Sequence, residues 1–321
     1  MIKLDKKLFS DKVKKKATRA GFGDALLELG KINEEVVGLC ADLTESVKME
    51  AFGKKYPDRY IQCGVAEQNM VAVAAGIAVT GKIPFASTFG VFFMRAIDQI
   101  RISICYNKAN VKLAASHAGI TVGADGATHQ ALEDLAIMRS MPNMTVICPA
   151  DYWQTYQATL AMAKRKGPGY LRFGRAEVPL LFSKNTPFQL GKVQVVKPGK
   201  DVTVIACGIM LYKALKAAYL LRDRIDVEII NCHTLKPIDK TGIIKSVKKT
   251  GATVTAEEHQ IYGGLGSTVA EVLTKNYPAP QEMIGIQDKF GESGKPDELM
   301  KKYHLSAKDI ILAIKRVIRR K

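Results

Sequence analysis

Residues 86–102, ASTFGVFFMRAIDQIRI, and residues 116–151, SHAGITVGADGATHQALEDLAIMRSMPNMTVICPAD, set the fold. The apolar run IPFAST (83–88) gives way to a helical span from about Val91 to Tyr106. The next run, VKLAASHAG (111–119), leads into a Gly-rich loop and a helix near Gln130 to Arg139. Short apolar runs that alternate with helical spans specify a doubly wound parallel sheet, and right-handed crossovers bring the loops at the strands' carboxyl ends to one edge.

The same alternation extends in both directions. Upstream lie a helix over residues 11–30 with Gly30 as its stop, the run VVGLCADL (36–43), and RYIQCG (59–64) followed by a helix from about Ala66 to Val79. Downstream come TVICPA, a helix from about Tyr152 to Lys166, and GYLRFG. The pattern lapses from Glu177 to Asp201, a Pro-, Gly- and Lys-rich stretch that reads as a linker. This predicts two α/β domains, residues 1–188 and a smaller unit of residues 189–321. The second unit holds strands in DVTVIACG, IDVEIINC and TVTAEEH and helices at about Leu211 to Leu221 and Ile238 to Thr250. It ends in the amphipathic basic helix KDIILAIKRVIRRK.

Composition narrows the classes. The 321 residues are 47% hydrophobic and 25% charged, as in an ordinary globular chain. The longest apolar runs, such as Val71 to Val79, are interrupted by Gly76 and fall short of the roughly 18 residues that a membrane-spanning helix needs. The opening MIKLDKKLFSDKVKKK lacks the apolar core of a secretory signal. The six cysteines are scattered, with no C-x-x-C pair, and read as reduced core thiols of a cytoplasmic protein. Of the net charge of +17, about +13 sits in residues 1–19 and 301–321. With one Trp and no nucleic-acid motif, that periphery suits anionic metabolites better than nucleic acid.

Four strand-end segments carry candidate chemistry: ADLTES (41–46), GVAEQNM (64–70), STFGVFF (87–93) and the loop from Ser116 to Gln130. Glu67 lies beside an apolar helix, where burial keeps a carboxyl protonated as a proton donor or relay. On the residues alone the plainer reading, a first-turn carboxylate facing the helix dipole, is favoured. Phe89, Phe92 and Phe93 read either as core aromatics or as a ring-stacking platform. His117 and His129 share one Gly-rich loop. No third ligand has metal-site spacing, so acid/base or hydroxyl-binding roles fit them better than metal binding, against the plain alternative of loop histidines. Gly119, Gly123 and Gly126 predict positive φ and a close approach to a ligand.

In this order the segments resemble the pyrimidine-binding half of a thiamine-diphosphate enzyme of the transketolase family. The similarity is strongest over about residues 17–180, moderate over about 200–295 and absent at the basic ends. It implies a thiamine-diphosphate pyrimidine-binding domain followed by a smaller transketolase C-terminal domain. The implied reaction moves a two-carbon ketol unit from a ketose phosphate such as xylulose 5-phosphate to an aldose phosphate such as ribose 5-phosphate, through a thiamine-diphosphate ylide.

The resemblance implies that Glu67 meets N1′ of the cofactor's pyrimidine, that Phe92 stacks on that ring with Phe89 beside it, and that Asp42 lies in the cofactor's neighbourhood. It places Arg19, Ser46, His117 and Arg175 at the sugar-phosphate end, with Arg172 a competitor for the role of Arg175. Asp125 and His129 fall near the reacting carbons, His129 with a catalytic role. The family's Gly-Asp-Gly motif for the Mg²⁺-bound diphosphate is absent from the sequence, and about 40 residues precede Asp42. The expectation is therefore the C-terminal subunit of a split enzyme, completed by an N-terminal diphosphate-binding subunit as α2β2, with no metal ligand of its own. The LKPID and EEHQIYGGLGS segments resemble the family's C-terminal domain, which serves subunit packing. Two relatives share part of the pattern, 1-deoxyxylulose-5-phosphate synthase and the 2-oxo acid dehydrogenase β-subunit. A non-catalytic anion- or nucleic-acid-binding protein that keeps the fold is the rival of a different class.

Overall fold

The computed structural model describes residues 8–10 and 12–321, so part of the basic N-terminal end lies outside the described residues. The first sheet draws on β2 (Val36–Cys40), β3 (Tyr60–Gln62), β4 (Ile83–Phe89), β5 (Lys112–Ser116), β6 (Thr145–Ile147) and β7 (Gly169–Arg172), all parallel. Before them, β1 (Lys15–Ala17) pairs antiparallel with β8 (Glu177–Pro179). Beyond β8 come β9 (Gln194–Lys197), β10 (Val202–Ala206), β11 (Val227–Asn231), β12 (Thr234–Lys236), β13 (Thr253–Gln260) and β14 (Gln281–Ile286).

The large sheet has the order β12-β6-β7-β5-β4-β2-β3 and the second sheet β14-β13-β10-β11-β9. Runs such as VVGLC and KLAAS form strands because every residue in them is buried. Helices cover both faces of a parallel sheet, so its strands need no polar alternation. The strand order reverses between β2 and β4, which opens a crevice at the carboxyl edge.

The α/β expectation holds, with local corrections. The first helix runs Thr18–Ile32, so Gly30 does not stop it. A Cβ at Gly30 would lie 2.5 Å from the Tyr56 ring and 2.7 Å from Phe52, and the glycine therefore serves packing. The segment after β4 is composite: a 3-10 turn over Phe92–Ala96, one α-helical turn over Ile97–Gln99 and a π-helical turn over Ile100–Tyr106. The helix expected near Gln130 to Arg139 is confined to Asp134–Ser140. The stretch read as a linker contains β8 and β9. Beyond it, Thr234–Lys236 adds an antiparallel edge strand to the first sheet by pairing with β6.

The C-terminal helix Ala307–Ile318 starts with a capping box between Ser306 and Asp309. It buries Ile310, Ile314 and Val317, each worth roughly 1.5–3 kcal/mol as an upper figure. Arg316 and Arg320 on its far side both pair with Glu282, so part of the C-terminal basic charge is structural. All six cysteines are free thiols, and Cys63 alone is not fully buried. No helix among the described residues is long and apolar enough to cross a membrane.

Candidate active site

At the carboxyl edge of the large sheet, β4 ends in Phe89 and β5 in Ser116, and a parallel register sets these two residues side by side. The ring of Phe89 stacks on that of His117 at 3.7 Å between centroids. On Phe92 it stacks at 5.3 Å with 11° between planes. His129 meets Phe92 edge-on at 5.4 Å and Phe89 at 6.1 Å. Phe93 points the other way and is fully buried against Tyr170. Phe93 and Phe89 are both buried core aromatics, while Phe92 is only partly buried and packs against that core.

Glu67 is the first residue of the helix Glu67–Val79 and is 4% exposed. It is not alone in an apolar setting: Arg95 donates through Nη1 to its Oε1 at 2.9 Å. The same guanidinium rests 4.5 Å over the Phe92 ring. Sequence reasoning missed Arg95, although its spacing three residues after Phe92 on a helical turn was a usable signal.

A second group gathers beyond His117. Arg19, near the start of the first helix, donates to the Ser46 carbonyl at 2.8 Å, so it is the backbone of Ser46 that this contact engages. Burial and then the nearby Arg175 guanidinium push Arg19 below the ordinary arginine range, and its Nε is buried without a partner. Arg175 pairs with Asp125 at 3.2 Å and donates to the Val122 carbonyl at 3.1 Å. His117 is pushed down to about 3, first by burial and then by Arg19, Arg175 and His129. It is therefore a neutral imidazole at ordinary pH, with Nδ1 at 2.8 Å from the Ser116 hydroxyl. His129 places its Nδ1 2.9 Å from the Thr128 hydroxyl.

Arg172 does not compete for this role. It is 4% exposed and is locked in an ion pair with Asp134 at 2.9 Å, while its Nη2 donates to Ala131 and Glu258 carbonyls. Asp42 sits exposed at the rim with φ 58°. Its amide donates to Gln62, and no side-chain hydrogen bond or ion pair joins it to the cluster.

The Gly-rich loop does take positive φ at Gly119, Gly123 and Gly126. It also approaches the second domain closely. A Cβ at Gly119 would fall 2.3 Å from the Glu258 carboxyl, at Gly123 3.2 Å from the Gly294 carbonyl and at Gly126 2.6 Å from the Ser293 hydroxyl. Glu258 accepts from the Thr121 amide at 2.6 Å. Next to it, Glu257 accepts from the amides of Leu265 and Gly266 and is pushed up to about 7 by burial. The EEH segment thus fixes the loop that carries Asp125 and His129. The sequence offered no local signal for this, because the partners are more than a hundred residues apart.

The cluster lines neither of two sizeable clefts. One, of about 700 Å³, runs along Ala72, Gly76 and Val79, and the other, of about 830 Å³, lies between Tyr212 and Pro296.

Comparison with known proteins shows the family. Residues 14–179 match the family model of the transketolase pyrimidine binding domain and residues 191–310 that of the transketolase C-terminal domain. The chain belongs to the transketolase family. It is 46% identical over 300 residues to a Methanocaldococcus jannaschii protein provisionally named transketolase C-terminal section, covering 92% of this chain and 94% of that one. It is 42% identical to the 6-deoxy-6-sulfo-D-fructose transketolase subunit SqwH of a Clostridium species, covering 98% of both. Against human transketolase the identity is 38%, over 94% of this chain but 49% of the human one. Among solved structures, a split-gene transketolase described as an inactive β4 tetramer superposes with a TM-score of 0.89 at 50% identity, covering 94% of this chain and 98% of that one.

Proposed function

We propose that this chain is the C-terminal subunit of a split transketolase, a transferase active only when a second polypeptide supplies the diphosphate-binding half. The observation that carries the reading is the convergence of Glu67, Phe92, His117, His129, Arg19 and Arg175 at one sheet edge. The donor set fits an aminopyrimidine: a buried carboxylate at a helix start beside an aromatic face, both already in contact with a planar N–C–N group of the chain itself. Thiamine diphosphate, when bound, supplies the nucleophilic carbon that carries the two-carbon unit.

The chain's own residues then have separable tasks. Glu67 holds a proton at the pyrimidine's ring nitrogen, and Phe92, backed by Phe89, orients the ring. Asp42 borders the cofactor from the rim. Arg19, Arg175, Ser46 and the neutral His117 take the terminal anion of the sugar, guanidiniums as charged donors and imidazole as a neutral one. Asp125 and His129 hold hydroxyls beside the reacting carbons, and His129 can move a proton there. The domains divide at residues 188 and 189.

The partner reading draws on the helix Glu67–Val79. It is apolar all round after its first turn, a composition that calls for cover on both sides, yet Ala72, Gly76 and Val79 lie exposed beside Val65, Ile102 and Tyr106. A subunit seated there reaches Glu67 as well. Among the described residues no group of three or more His, Cys, Asp and Glu side chains could hold a metal ion, and we assign the Mg²⁺ ligands to the partner in an α2β2 assembly. The free thiols suit a cytoplasmic protein. The donor and acceptor are xylulose 5-phosphate and ribose 5-phosphate, as in the pentose phosphate pathway. The SqwH relative makes a sulfonated ketose the second reading.

The test mixes the chain and a candidate diphosphate-binding subunit with thiamine diphosphate, Mg²⁺, ribose 5-phosphate and either donor, and follows aldehyde release. Turnover only in the mixture, and its loss with Glu67→Ala, is the expected result. Release of CO₂ from pyruvate without ketol transfer from either ketose would remove the reading.

A further inference from the structure

Arg95 makes two contacts at once. Its guanidinium lies 4.5 Å over the Phe92 ring, and its Nη1 donates to Glu67 Oε1 at 2.9 Å. These are the two contacts assigned above to the cofactor's pyrimidine ring: an aromatic face and a carboxylate in the plane of a ring nitrogen. A guanidinium is a planar, delocalised N–C–N array with in-plane N–H donors, and a 4-aminopyrimidine carries a planar N–C–N array in its ring, with an in-plane donor once a ring nitrogen shares a proton with the carboxyl. One face of Phe92 cannot hold both.

We propose that Arg95 is a placeholder for the aminopyrimidine, occupying its position in the free chain and leaving by exchange when the ring enters. The proposal rests on the thiamine-diphosphate reading of this site. The asymmetry of burial supports exchange: the Arg95 side chain is 55% exposed and Glu67 4%. The guanidinium has an open path to water, whereas the carboxylate is fixed at its helix start. A placeholder also has a physical use. Without the cofactor, Glu67 would be a buried carboxylate with no partner, a costly arrangement that Arg95 relieves. The entering ring must replace both the ion pair and the stacking contact, so wild-type affinity for the ring is lowered by about tenfold, the joint size of a half-exposed ion pair and a cation–π contact.

The test is calorimetric titration of the full chain with thiamine as the probe, for wild type, Arg95→Ala and Phe92→Ala. Arg95→Ala should bind about tenfold more tightly than wild type, and added guanidinium chloride should reverse the gain in Arg95→Ala by refilling the vacated position. Equal or weaker binding by Arg95→Ala, with Phe92→Ala still abolishing binding, would overturn the placeholder and leave the cofactor reading standing. Thiamine binding that is indifferent to Phe92→Ala, or still absent once the diphosphate-binding subunit is added, would remove both. A measurement on the wild-type chain covers a variant that fails to fold. In ¹⁵N-arginine spectra, thiamine should shift the Arg95 Nε signal on leaving Glu67, and an unmoved signal at saturating thiamine counts against the exchange.

Discussion

Replacing Gly119 by alanine tests whether the second domain holds the loop that carries Asp125 and His129. Gly119 has φ 88° and ψ 179°, a region open essentially to glycine alone, so alanine there is strained by roughly 1–3 kcal/mol. The added Cβ would also lie 2.3 Å from the Glu258 carboxyl carbon and 2.4 and 2.5 Å from its oxygens. The carboxylate must retreat, and its bond from the Thr121 amide, of the charge-assisted kind worth roughly 1.5–3 kcal/mol, is lost. The total for Gly119→Ala is then about 3–5 kcal/mol. Glu258→Ala alone loses the same bond, about 2 kcal/mol, but removes the obstacle. In that background Gly119→Ala should cost only its backbone strain, so the double-mutant cycle should show a coupling of about 2 kcal/mol. Urea unfolding gives the energies, and amide exchange at Thr121 reports the bond directly: both single variants should speed it. Additivity within about 0.5 kcal/mol, or an unchanged Thr121 exchange rate in Glu258→Ala, would refute the reasoning.

Asp134→Asn uncouples the buried Asp134–Arg172 pair, whose side chains are 0% and 4% exposed, and should cost about 3–5 kcal/mol in calorimetry because a guanidinium is left buried without its counter-charge; a loss below about 1 kcal/mol would show the pair to be dispensable. His233 is pushed down to about 4 by burial, so between about pH 4 and 6.5 the unfolded chain binds the extra proton and stability rises with pH, fully present above 6.5 and lost below 4. His233→Gln should remove roughly 3 kcal/mol of that rise in denaturation curves taken across the window, and an unchanged pH profile would count against a neutral buried His233. In the assembled enzyme, Arg175→Met should raise KM for the anionic donor by about tenfold or more with kcat nearly kept, whereas equal losses in both would place Arg175 at the reacting carbons instead.

The sheet strands were legible because burial on both faces writes them as unbroken apolar runs, VVGLC, KLAAS, VTVIA and VEIIN among them. Helix limits were less so. Gly30 looked like a stop because glycine usually ends helices, but here it admits the Tyr56 and Phe52 rings. That reason lies in a segment more than twenty residues away. The aromatic and histidine members of the site were visible as residues at strand ends. Their stacking, and the assignment of Phe93 to the core, depended on the composite turn after β4. Arg95 was hidden because a charged residue in a helical turn reads as a solvated surface group until its partner is known.

The least legible feature is the dependence of the site on the second domain. Three kinds of contact cross the stretch read as a linker. Glu258 holds the Thr121 amide, Arg172 donates to the Glu258 carbonyl, and Thr234–Lys236 continues the first sheet beyond β6. Gln130 adds a fourth tie by donating to the Glu292 carbonyl. Each adds a partner for a polar group of the first domain, and unsatisfied buried groups are costly. The second domain therefore holds the loop that carries Asp125 and His129 from behind. The exposed apolar face of the helix Glu67–Val79 is the surface proposed above for a second subunit. A loop fixed from behind and exposed in front is what the proposed site, shared between two chains, would require. Under that proposal preorganisation comes from this chain and closure from the partner.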